Sequence, residues 1–128
     1  MNNDEQKLTF GRFVTNKRKQ LEITLRGLAA NLGIAPAYMS DIEKDRRYPP
    51  DKEKLDAIAQ ILRMTEDEKN LMFDLAANAK KHTVSPDLPD YIMNNENVRI
   101  ALRKAKSHNY SNADWQKFID ILDDKGEK

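Results

Sequence analysis

The sequence predicts an all-α fold, five helices in one domain followed by a helix hairpin, and three observations predict it. Apolar residues recur at i, i+3, i+4 and i+7 in several separate stretches, the spacing that puts them on one face of a helix. Hydroxyl and carboxylate residues stand just before those stretches, where they can accept from the free amides of a first helical turn. Gly33, Pro36 and the run Tyr48-Pro49-Pro50 punctuate the intervals between them.

Taken in order, the chain begins with a polar stretch, MNNDEQ, that offers no packing signal, and residues 1–7 are expected to be a flexible N-terminus. A first helix is predicted from Leu8 to Leu21, with Phe10, Phe13, Val14 and Leu21 toward the core. Its basic run, Lys17-Arg18-Lys19, is split among directions by the helical turn, which leaves Lys17 and Lys19 as candidates either for phosphate contact or for plain solvated surface. Thr24 caps a second helix whose stripe is Leu25, Leu28, Ala29 and Leu32, and Gly33 ends it, because a residue without a Cβ takes the left-handed conformation cheaply. Pro36 suits the first position of a third helix, where its missing N–H costs nothing. Ala35, Met39 and Ile42 are expected to face inward there, with Ala37, Tyr38, Ser40, Asp41 and Lys44 outward. Two short helices joined by so tight a turn cannot lie side by side, so one projects.

From Thr24 to Ile34 (TLRGLAANLGI), from Ala37 to Lys44 (AYMSDIEK) and at the exit RRYPP, the chain resembles the lambda and 434 repressor/Cro class, the XRE-type helix-turn-helix regulators. The resemblance covers about residues 10 to 63 and is specific because spacing, caps and core positions agree. It implies a five-helix repressor-like DNA-binding domain, and an internal ion pair between Arg18 on the first helix and Glu43 on the recognition helix. Glu22 and Asp45 stand where relatives commonly carry glycine at helix ends, and a glutamate held left-handed costs on the order of 1 kcal/mol.

After the proline-rich exit, Asp51 can cap a fourth helix with the stripe Leu55, Ile58, Ala59 and Leu62. Thr65 and Glu68 form a capping box that opens a fifth, expected to carry Leu71, Met72, Leu75, Ala76 and Ala79. Met64 and Met72 sit at helical spacing and read as core. These elements assign residues 8–81 to the helix-turn-helix domain. The segment HTVSPDLPD marks a composition shift, and 82–94 is read as a linker. Beyond it Val98, Ala101, Leu102 and Ala105 make one stripe, and Ser111 to Asp114 caps another carrying Trp115, Phe118, Ile119 and Leu122. Residues 95–123 are therefore a helical hairpin, too small to fold reliably alone, so its apolar faces must rest on the first domain, a second copy or another protein. Residues 124–128 trail off as a polar tail.

Composition bounds the function. Cysteine is absent, which removes disulfides and thiolate chemistry and fits a reducing cytoplasm. No apolar run approaches the roughly 18 residues of a membrane span, and no signal-peptide core opens the chain, so a cytoplasmic protein with no membrane role is expected. A net charge of +1 argues against a nonspecific polycation. Basic side chains nevertheless outnumber acidic ones nine to six in residues 1–50, against five to seven in 51–80 and eight to eight in 81–128. The positive field thus belongs to the helix-turn-helix. His82 and His108 stand alone, and no His, Cys or Asp cluster has metal-ligand spacing. No enzyme, catalytic residue, metal or cofactor is expected.

The resemblance places Pro36, Ala37, Ser40 and Asp41 at base-facing positions, with Tyr38 beside them. These side chains include no arginine or glutamine fork: Ala37 can touch a thymine methyl, and Asp41 can accept from a cytosine amino group. Specificity would then lean on Tyr38 and on duplex shape. Phosphate contacts are expected from Thr24 with the helix N-terminus behind it, and from Arg26, Lys44, Arg46, Arg47 and Tyr48. One module reads only a few base pairs, so a homodimer on half-sites about 34 Å apart is expected, with Trp115, Phe118, Ile119 and Leu122 as its interface. The chain reads as a transcriptional repressor on double-stranded DNA. The alternatives are an antitoxin whose hairpin binds a partner protein, and a module acting only through protein contacts.

Overall fold

The computed structural model describes residues 7–80 and 83–126. The expected flexible N-terminus, apart from Lys7, lies outside the described residues, as do His82 and the last two residues of the tail. Among the described residues every regular element is a helix: α1 Phe10–Gln20, α2 Leu25–Leu32, α3 Pro36–Glu43, α4 Lys52–Ile61, α5 Glu66–Asn78, α6 Pro89–Met93, α7 Glu96–Ser107 and α8 Asn112–Gly126. The chain forms two compact units that divide between Pro89 and Asp90.

In the first unit α3 packs on α1 and α2, α4 on α2, and α5 on α1. Val14, Leu28, Met39, Ile42, Leu55, Ile58, Leu62, Met72 and Phe73 are the large side chains fully removed from water. Most of this unit's helix ends have a local cause. The Thr9, Thr24, Asp51 and Thr65 side chains accept from amides in the first turns of α1, α2, α4 and α5, and Thr65 and Glu68 complete a reciprocal capping box. At the other ends α1, α2, α3 and α4 close alike, with a left-handed residue after the last helical turn: Glu22 (φ 57°), Gly33 (φ 70°), Asp45 (φ 60°) and Arg63 (φ 53°). The amide that follows reaches back five residues, Ile23 to Arg18, Ile34 to Ala29, Arg46 to Asp41 and Met64 to Ala59, the paired closure of the Schellman motif.

Three inward assignments are corrected. Ala35 is exposed, because it is the extended residue before α3 and its side chain lies outside the helical turn. On α5 Phe73 is 2% exposed while Leu71 is 41% exposed, and Ala79 is exposed at the helix end. The run LMFDLAA offers apolar residues in nearly every direction, so periodicity fits two faces about equally; packing against α1 selects the one bearing Met72, Phe73 and Ala76.

The second unit holds α7 and α8. Ser111 and Asp114 cap α8 reciprocally, with Ser111 N–H donating to Asp114 Oδ2 at 2.9 Å and Asp114 N–H to Ser111 Oγ at 3.2 Å. The Trp115 ring meets Tyr110 and Phe118 edge-on, at centroid distances of 5.7 and 6.1 Å. Of the α7 stripe only Ala105 is buried, and α8 has no buried residue. The expected linker contains the short helix α6, and α8 continues to Gly126, into the expected tail.

Candidate nucleic-acid interface

The interface is built around a buried ion pair. Arg18 comes from α1 and Glu43 from the last turn of α3, and each is 8% exposed. The guanidinium donates through Nε to Glu43 Oε2 at 2.7 Å and through Nη2 to Glu43 Oε1 at 2.9 Å, a two-pronged match of planar groups. Its third nitrogen donates to the carbonyl of Ile23, and the Thr15 hydroxyl donates to Glu43 Oε1 at 3.0 Å. The hydrogen bonds to Glu43 raise the Arg18 pKa against the opposing effect of burial. With all three guanidinium nitrogens and both Glu43 oxygens bonded, the pair sets the rotation of α3 relative to α1 and to the α1–α2 turn.

That rotation decides what α3 shows to solvent. Pro36 and Ala37 are exposed at its start, and Ser40 and Asp41 are half-buried one turn on. Tyr38 is also half-buried: its ring packs on the core edge, with the Arg47 guanidinium 5.5 Å from its centroid. The absence of an arginine fork on this face is modified by the loop. The α3 closure brings the Arg46 amide onto the Asp41 carbonyl at 2.8 Å, and the Arg46 guanidinium then lies 3.7 Å from the Asp41 carboxylate. The exposed pair contributes little stability, but it offsets the negative charge that Asp41 would present to a phosphate. A separation of five residues is invisible to helical pairing rules, and only the left-handed turn at Asp45 makes it a contact.

Around this face Thr24, Arg26, Lys44, Arg46, Arg47 and Tyr48 are all exposed. Thr24 Oγ1 accepts from the Gly27 amide at 2.9 Å, which fixes the N-terminus of α2 and leaves its hydroxyl proton free to donate. Arg26, Lys44 and Arg47 pair with no carboxylate among the described residues. A groove of about 440 Å³ lies between α1 and α3, bordered by Lys19, Leu25, Ser40 and Lys44. Lys17 is different: its ammonium is bound to Glu68 on α5 at 2.9 Å with its side chain 16% exposed, so it ties α1 to α5 and does not join this face.

Set against family models, residues 15–69 match helix-turn-helix. No curated protein matches the chain. Among solved structures, a chain of a SinR protein/SinI protein complex superposes with a TM-score of 0.46 at 18% identity, over 94% of this chain and 100% of that one. The matched segment runs from Thr15, beside the Arg18–Glu43 pair, through α2, the Gly33 turn and α3 to the first turns of α5. Residues 15–69 therefore form a helix-turn-helix domain, similar to that of the family model they match.

Proposed function

We propose that this protein is a sequence-specific repressor that reads the major groove of double-stranded DNA with α3 and acts as a homodimer joined through its C-terminal hairpin. The observation that carries the reading is the charge around α3. Arg26, Lys44 and Arg47 stand exposed, with no carboxylate partner among the described residues, beside a helix whose rotation is set by Arg18 and Glu43. Positive side chains held at the flanks of a projecting helix suit phosphate contact, while Pro36, Ala37, Tyr38, Ser40 and Asp41 face the base edges. A bound dimer covers the duplex, which suffices for repression without an activating surface.

The dimer is supported by the hairpin itself. Phe118, Ile119, Ile121 and Leu122 are 44–54% exposed, an apolar area that a solvated monomer has no reason to keep. The two helices also differ in charge. α7 carries Arg99, Arg103, Lys104 and Lys106 against Glu96, while α8 carries Asp114, Asp120, Asp123 and Asp124 against Lys117 and Lys125. A two-fold axis that lays α8 of one copy on α7 of the other pairs these signs and covers both stripes at once.

Selection of bound duplexes from a random pool at two salt concentrations tests the whole reading. A near-palindromic motif with half-sites about 34 Å apart is the expected product. Salt-sensitive binding without an enriched motif would leave a nonspecific binder. No binding, together with a second protein retained by the hairpin, would favour the antitoxin-like partner role.

A further inference from the structure

Lys80 follows the end of α5, outside the residues that spacing or resemblance connects with DNA. Its ammonium nevertheless lies 5.5 Å from the centroid of the Tyr48 ring, in the loop between α3 and α4. Tyr48 is 64% exposed and directly follows Arg46 and Arg47. The backbone of Lys80 is held from the far side as well. The Thr83 hydroxyl is shared between the carbonyls of Ala77 and Lys80, at 2.7 and 2.9 Å, and Ser85 is bonded to Asp74, so Thr83 and Ser85 lie back against the end of α5. Pro49, Pro50, Val84 and Pro86 wall the recess in which Tyr48 and Lys80 meet. The prolines fix their own backbone angles in the wall of that recess.

Lys80 forms no ion pair with a carboxylate among the described residues. A second recess, bordered by Asp45, Arg46, Arg47, Tyr48 and Ala79, joins the loop to the same end of α5. The loop thus carries Arg47 stacked on Tyr38, and Tyr48 carries a cation supplied by another helix. A lysine restrained over an aromatic face keeps its N–H groups toward solvent and loses less side-chain entropy when a phosphate arrives.

We propose that Lys80 is a DNA-backbone contact, positioned by the Tyr48 ring, that extends the phosphate-binding edge of the α3–α4 loop onto α5. The proposal rests on the DNA-binding reading above and adds a residue from outside the helix-turn-helix. A competing role exists, because a cation at a helix C-terminus offsets the negative end of the dipole. The two roles differ in what they move: dipole compensation changes stability, and phosphate contact changes the salt dependence of binding.

The test uses the full chain and a duplex of arbitrary sequence, with affinity followed across salt concentration. Lys80→Ala is expected to lower the slope of log affinity against log salt by about one, and Lys80→Arg to preserve it. Tyr48→Phe should leave the contribution of Lys80 in place. In a Tyr48→Ala background, removing Lys80 should cost less affinity than it does in the parent. The proposal is overturned if Lys80→Ala keeps the parent slope while Arg46→Ala lowers it, or if Lys80→Ala shifts only the melting temperature. Salt-independent binding by the parent chain would remove this proposal and the DNA-binding reading together.

Discussion

The amide of Gly11 donates to Asp45 Oδ1 at 2.9 Å, across 34 residues of chain. The Thr9 hydroxyl donates to the other carboxylate oxygen at 2.6 Å, so Asp45 caps the N-terminus of α1 from the far end of α3. This explains why aspartate occupies a left-handed position that glycine would fill with less strain: the side chain satisfies free donors of another helix. Asp45→Ala and Asp45→Gly should both destabilise, the glycine variant less because it relieves the backbone. An alanine cost of about 1–3 kcal/mol is expected from the lost charge-assisted bonds, and urea denaturation measures it. A glycine variant more stable than the parent would contradict the capping role.

The same closeness constrains Gly11. A Cβ built there would sit 2.3 Å from the carbonyl oxygen of Glu43, a backbone atom that cannot rotate away. Gly11→Ala must push α1 off the end of α3, at a cost of about 1–3 kcal/mol or more. Because that movement also disturbs the neighbouring Glu43, affinity for DNA should fall with stability, which thermal melting and duplex titration would show on one variant.

Arg18 and Glu43 form the costliest pair to break singly. Glu43→Ala leaves a buried guanidinium uncompensated, and about 3–5 kcal/mol is expected from similar pairs. Replacing both with apolar residues of similar volume should recover much of that loss. The double variant is then informative about function: if the pair serves mainly to orient α3, stability returns while affinity for DNA stays low.

Among the described residues, four that are not glycine hold left-handed backbone: Glu22, Asp45, Arg63 and Asn109. Glu22 and Arg63 are exposed and lie at helix closures. Glu22→Gly and Arg63→Gly should each stabilise by up to about 1 kcal/mol, read as a raised denaturation midpoint at unchanged slope. A loss of stability in either would mean that the unfolded-state entropy of glycine outweighs the strain relieved.

How much of this was legible in the sequence depended on distance along the chain. Caps at Thr24, Asp51 and Thr65, the Gly33 turn and the stripes of α2 and α4 involve residues three or four apart, and periodicity finds them. The left-handed closures at Glu22 and Asp45 were signalled by family resemblance; those at Arg63 and Asn109 carry no comparable local signal. Phe73 was missed because apolar residues surround it on α5, so that only the packing of α1 separates the buried face from the exposed one. The Asp41–Arg46, Asp45–Gly11 and Lys17–Glu68 contacts span a turn or whole helices, and no spacing rule reaches them. On the candidate interface, residue types and their helix could be read from sequence, while the partners that orient or neutralise them could not.

The hydrogen bonds around Glu68 give a final prediction, on acid stability. The Thr65 amide, followed by the Lys17 ammonium, holds the Glu68 carboxyl below its ordinary range, and in the hairpin the Ser111 amide and hydroxyl do the same for Asp114. A carboxyl whose folded pKa is depressed binds protons more readily when unfolded. Its contribution is therefore complete above the unfolded value, about 4.3 for glutamate, and is lost as pH falls through the depressed folded value. Urea midpoints should be flat near neutrality and decline once the pH drops below about 4. Glu68→Gln removes the titrating group and weakens the link from Lys17 on α1 to α5, so the variant should be less stable than the parent at neutral pH. Its midpoint should then decline less steeply in acid, bringing the two proteins closer together. Parallel acid profiles for parent and variant would show that Glu68 does not titrate with unfolding.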